Sequence, residues 1–170
     1  MIAVERDFQL TFPQLLADAF SLRTSVVDGH IAERTLHHLP RHRPERCVVD
    51  DIVEDFAWQV WEAIVSRRPS VISIIAGDPR EALEHFSELS GPAARMLAPM
   101  LAERIAAVVQ LGRMSGVARI LEILEVDPEY EGAFSGQVLF MLDPERNRLE
   151  WRKLQPQRVT VPAYPSWELR

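Results

Sequence analysis

The sequence predicts a mainly α protein: a single helical domain of about six or seven helices, followed by a C-terminal β-hairpin or small three-stranded meander and an extended tail. Three observations predict it. In residues 48–67 the apolar side chains Val49, Ile52, Val53, Phe56, Ala57, Val60, Trp61 and Ile64 recur at helical spacing, forming one continuous stripe. Asp78, Pro79 and Glu81 combine an acidic N-cap, a proline at the first helical position and a capping-box glutamate. From Gly136 the apolar period changes to two. The expected division is therefore residues 1–130 as helical domain, 131–162 as hairpin or meander and 163–170 as tail.

In chain order, Thr11 and Gln14 form a capping box that starts a helix over residues 11–22, and Ser25 caps a second over 25–39, ended by Pro40. A basic linker with Arg41, Arg43 and Arg46 leads into the helix at 48–67. That helix opens on Asp50, Asp51, Glu54 and Asp55 and closes on Arg67 and Arg68, charges that complement its dipole. Residues 71–75 are β-branched and short enough for a strand, but Gly77 suits a helix C-terminus, and helix is slightly favoured. A helix then runs from Asp78 to about Leu89. Residues 93–111 are apolar nearly all round, which describes a central helix interrupted at Pro99. Ser115 caps a last helix carrying Val117, Ile120, Leu121 and Leu124. Two strands flank the turn residues 143–147, a third short strand at 158–161 could extend them, and two prolines and two aromatics mark the tail.

Composition narrows the function classes. With 170 residues and 47% apolar content the chain suffices for one domain with a substantial core. A formal charge of -6 and a pI near 5.4 argue against a general nucleic-acid binder. The single Cys47 allows no internal disulfide, the N-terminus shows no secretory pattern and no apolar run is long enough to span a bilayer, so a cytoplasmic, membrane-free protein is expected.

His30, Glu33 and His37 share one helical face, and Glu81 and His85 lie four apart on another, so a divalent metal between two helices is conceivable chemistry. No nucleophile, base and oxyanion set assembles, and no glycine loop fits a phosphate pattern. Arg41, Arg43 and Arg46 could lower the pKa of Cys47, but an inert thiol is the commoner outcome. Trp58 and Val65 point away from the apolar stripe of their helix. With Met96, Met100, Trp151, Tyr164 and Trp167 they form a set of interface-type anchors. What covers Trp58 is left open among the chain's own tail, a second copy and another protein.

Ala17, Ser21 and Val27 fall at helix-turn-helix spacings, and about residues 65–128 resemble the helical ligand-binding half of TetR-type regulators. The resemblance implies an apolar ligand cavity between helices, dimerisation through the last helices and, through Arg41 and Arg43, contact with DNA. Only about ten residues precede the first helix of this candidate motif, at Thr11, short of a DNA-binding head.

The preferred expectation is a non-enzymatic interaction or adaptor subunit, self-associating or bound to a protein partner, docking through the hairpin and tail without a cofactor. The alternatives are a TetR-like ligand-responsive regulator and a metal-dependent helical enzyme.

Overall fold

The computed structural model describes residues 1–5, 20–23, 36, 38–52, 57–152 and 155–159. Its described elements form an α/β fold with two sheets, which corrects the mainly α expectation. Strands β1 (Ile2–Glu5), β2 (Phe20–Arg23), β3 (Cys47–Val49) and β4 (Ser70–Ile72) pair in parallel in the order β2-β1-β3-β4. Strands β5 (Ala107–Met114), β6 (Val117–Val126), β7 (Gly136–Asp143) and β8 (Arg148–Trp151) form an antiparallel meander. The helices are α1 (Ala57–Val60, continued by a π-helical turn, Trp61–Val65), α2 (Pro79–Glu88) and α3 (Ala94–Arg104).

The core joins both sheets. Ile2 and Val4 of β1 and Cys47 and Val49 of β3 are buried together with Val60 and Ile64 of α1, Phe86 of α2, Leu97 and Leu101 of α3 and Val126 of β6. Strands as short as β1 and β3, buried on both faces, read as plain apolar runs without alternation. The apolar stripe assigned to one helix at 48–67 therefore belongs partly to β3 and partly to α1. Residues 71–75 begin in β4, so the slight preference for helix there is also corrected. Of the first two expected helices, residues 20–23 form β2 and the remainder lies largely outside the described residues.

α2 starts at the Asp78 signal. The Asp78 carboxylate accepts from the Arg80 and Glu81 amides at 2.7 and 3.0 Å, and Glu81 accepts from the Gly77 amide at 2.6 Å. Those backbone hydrogen bonds, from Glu81 first, hold the Asp78 carboxyl below the usual carboxylate range. Asp78→Ala is expected to lower unfolding free energy by about 1 kcal/mol in urea denaturation, the ordinary worth of an N-cap.

The apolar stretch at 93–111 divides into α3, which runs on through Pro99, and β5. The helix expected after Ser115 is β6. Ser115 and Gly116 both have positive φ, 50° and 79°, the pattern of a two-residue type I′ hairpin turn. Leu111 pairs with Ile120 and Gln110 with Glu122, leaving Leu121 as an extra, bulged residue. The β7–β8 hairpin continues this sheet and is no appendage. One face of the meander packs inward through Val108, Leu124 and Val126. The opposite cross-strand row, Val109, Ile123, Phe140 and Trp151, ends at both edges in exposed side chains.

Candidate functional site

In the parallel sheet the chain goes from β1 to β2 on one side and returns to β3 on the other. The carboxyl ends of β1 and β3 therefore flank a topological switch point, where open α/β sheets form their ligand sites. β3 runs apolar through Cys47, Val48 and Val49 and closes on two carboxylates, Asp50 and Asp51, both half-buried. The Asp50 amide donates to Val4 O of β1 at 2.9 Å, which fixes the pair at the switch point.

Ser73, just past β4, ties these residues together. Its hydroxyl donates to Asp50 Oδ1 at 2.7 Å and accepts from the Asp51 amide at 2.9 Å. Its own amide donates to Val49 O, and its carbonyl accepts from the Ile52 amide. Asp51 has φ 58°, a left-handed conformation uncommon for a residue other than glycine and concentrated at functional sites. The loop after Ser73 is clamped by side chains from two other elements. His85 Nδ1 lies 3.1 Å from Ile75 O, Glu81 accepts from Gly77 N, and Gln110 of β5 donates to Gly77 O. A hard carboxylate held as Asp50 is suits a hydrated magnesium ion, which takes one or two carboxylates and keeps several waters.

Of the expected metal ligands, His30, Glu33 and His37 lie outside the described residues. Glu81 and His85 are spent on the loop before α2, and no group of three or more His, Cys, Asp or Glu among the described residues could hold a metal ion. Arg41 and Arg43 are exposed in and just after a short 3-10 turn (Leu39–His42). Of the expected partner anchors, Val65 is only 1% exposed and belongs to the core, and Trp58 is half-buried against it. Trp151 is 53% exposed and stacks on Phe140; Tyr164 and Trp167 lie outside the described residues. Cys47 is buried, and burial pushes its thiol pKa up against the opposing pull of Arg68 and the N-terminus, as an inert thiol requires. Sequence reasoning treated Asp50 and Asp51 only as helix-dipole partners. The available signal was a short apolar run ending in paired acids; for Ser73 there was none.

No family model matches the chain, and no curated protein matches it. Solved structures do. The VirB11 ATPase of the Brucella suis type IV secretion system, in complex with sulphate, superposes with a TM-score of 0.59 at 17% identity, over 73% of this chain and 39% of its own. The Legionella pneumophila ATPase DotB gives 0.54 at 13% identity, covering 73% and 36%, and the Yersinia pseudotuberculosis ATPase DotB 0.54 at 11%, covering 73% and 34%. The likeness is one of fold. The chain spans about two-fifths or less of the length of these ATPases. Their α/β architecture overturns the TetR resemblance, and with it the regulator. The adaptor and the helical metal enzyme, both built on a helical domain, are corrected by the same finding. No helix among the described residues is long and apolar enough to cross a membrane.

Proposed function

We propose that this chain forms part of an ATPase domain and supplies the magnesium-binding side of a nucleoside triphosphate site. The observation that carries the proposal is the Asp50–Ser73–Asp51 cluster at the carboxyl edge of the parallel sheet; the fold shared with three ATPases supports it. In nucleotide hydrolases of this general class an aspartate at the end of a buried strand holds the magnesium, and the metal neutralises and orients the phosphates. Asp50 takes that role here. Ser73 occupies one of its oxygens and so fixes the direction in which the carboxylate faces. Asp51 adds a second negative charge beside it. Because the sequence contains no phosphate-binding glycine pattern, the proposal assigns the chain the metal side of the site and no phosphate cradle. It also includes self-association in the cytoplasm, supported by the exposed apolar edge residues Val109, Leu111 and Trp151 of the antiparallel sheet.

The test is binding of manganese, a magnesium substitute visible by water-proton relaxation, to the 170-residue chain with ATP present. Asp50→Asn is expected to weaken ATP-dependent manganese binding by about ten-fold or more, the scale on which metal sites respond to loss of an oriented oxygen. Equal binding by wild type and variant, or none by wild type, would sink the proposal.

A further inference from the structure

An antiparallel sheet with one wet face normally turns its polar residues outward. Across β5–β8 that alternation is reversed. The cross-strand row Gln110, Glu122, Met141 and Glu150 lies on the side of the sheet from which Gln110 reaches Gly77 O ahead of α2. The rows on the opposite side carry Val109, Leu111, Ile120, Ile123, Phe140 and Trp151, with Leu111, at 69% exposure, the barest of them. Phe140 and Trp151 stack with ring centroids 6.4 Å apart, so two aromatic anchors are ordered before any partner arrives. Contiguous exposed apolar surface of this kind marks an interface.

Charge decides what fits it. A chain of formal charge -6 repels its own copy, so self-contact favours a surface free of exposed carboxylates. The outward face meets that condition. Glu125, which shares its orientation, is buried under the Gln157, Arg158 and Val159 amides. Arg113, at the hairpin tip, is the other charged side chain on these rows among the described residues, and it donates to Gly116 O of its own turn. A strongly charged partner finds nothing there to attract it, whereas an apolar face is complementary to itself.

Size agrees with a second copy. Strands of 8, 10, 8 and 4 residues, about 4.8 Å apart and rising about 3.3 Å per residue, give a face on the order of 500 Å² in plan. Two such faces together reach about 1,000 Å², the threshold for a specific interface. A single extended segment, such as the tail after Val159, is wide enough for one row of side chains; a second sheet stacked about 10 Å away covers them all. We infer that the outward face of β5–β8 binds the same face of a second copy of this chain, the two sheets stacked about a two-fold axis. This contact rests on the self-association included in the ATPase reading and names its face and copy number; it leaves the Asp50 site untouched. Each copy uses its face completely, so assembly stops at two.

The experiment is sedimentation equilibrium of the full chain at micromolar concentration, where wild type is expected to be a dimer. Leu111→Arg, at the edge of the face, and Ile120→Arg, near its centre, should each raise the dimer dissociation constant at least about a hundred-fold, because two-fold symmetry buries every introduced charge twice and unpaired. Both side chains are exposed in the single chain, so both variants should keep the wild-type circular dichroism. Leu111→Thr and Ile120→Thr, which keep strand-forming residues, should weaken the dimer about ten-fold and serve wherever an arginine variant misfolds. Val71→Arg, at an exposed apolar residue of the other sheet, and Asp50→Asn should both leave the dimer intact, so that a lost dimer and a lost metal site are read separately. A monomeric wild type, or species larger than two copies, would overturn the assignment. So would a dimer that survives the folded Leu111 and Ile120 variants, which leaves self-association to another surface. Dissociation by the Leu111 variants alone would replace it with edge-to-edge pairing of β5, and dissociation by Trp167→Ala would give the contact to the tail.

Discussion

Glu125→Gln is expected to cost the protein about 3 kcal/mol at neutral pH and to remove much of its sensitivity to acid. Glu125 lies on β6 and is only 3% exposed. Burial alone would raise its pKa, but hydrogen bonds to the carboxylate prevail. They come from the Gln157 amide, the Gln137 side chain and the Arg158 and Val159 amides, and they hold the pKa at about 2 against 4.5 for a free glutamate. Three consecutive backbone N–H groups thus converge on one carboxylate, at distances between 2.7 and 3.0 Å. The Arg158 guanidinium extends the lock, donating to the carbonyls of Ala102, Glu103, Ile105 and Val126 around the C-terminal end of α3. Because the folded pKa is depressed, the stabilisation is complete above pH 4.5, declines as pH falls and is gone below about 2. Urea denaturation of wild type and Glu125→Gln between pH 6 and pH 2.5 checks this. Their difference in unfolding free energy should shrink steadily with acidity, and a constant difference would refute the linkage. Asp78 and Asp143, also depressed, titrate in both proteins and cancel.

That lock spans residues 125, 137 and 157–159, and nothing local in the sequence announces it. The same holds for much of what sequence reasoning missed. In β6 the apolar positions Val117, Ile120, Leu121 and Leu124 are spaced three, one and three apart, as on a helix face. The structure shows why: the bulge at Leu121 shifts the alternation by one residue, so that Ile120 and Ile123, three apart, both continue the outward face. A second bulge, at Leu139 in β7, does the same between Val138 and Phe140. Pattern reading assumes an unbroken period of two and takes the slip in β6 for helical spacing, whereas β7, apolar on both faces, still reads as a strand. β3 escaped for another reason. Three residues with both faces buried carry no alternation, and the acids after them also suit a helix start. α2 was legible because its signal is local: Asp78, Pro79 and Glu81 sit within four residues, and the two carboxylates accept from the amides of Gly77, Arg80 and Glu81 beside them. Two of the three residues of the candidate site, Asp50 and Asp51, were visible, but only as helix-dipole partners; Ser73 becomes meaningful only when β4 is placed beside β3.

Gly136→Ala is expected to destabilise the fold by about 3 kcal/mol, the upper part of the range for steric overpacking. Gly136 opens β7 opposite Val126, and a Cβ there would fall on the carbonyl oxygen of Glu125, with the Val126 Cα at 3.2 Å. Backbone cannot swing aside as a side chain can, so the strands themselves must separate. Gly112 provides the contrast within the same sheet. A Cβ at Gly112 meets the tip of the Leu121 side chain, which can change rotamer, so Gly112→Ala should cost less than about 1 kcal/mol. The Gly136 clash also has a location that matters, because the displaced carbonyl belongs to the residue whose carboxylate gathers the Gln157, Arg158 and Val159 amides. Moving that backbone spoils the convergence of donors as well as the strand pairing. Gly136→Ala should therefore lose part of the stabilisation that disappears between pH 4.5 and 2, which Gly112→Ala should retain in full. Parallel urea titrations of the two variants across that range measure both effects, and equal losses at pH 7 would show that β7 has slack the packing does not reveal.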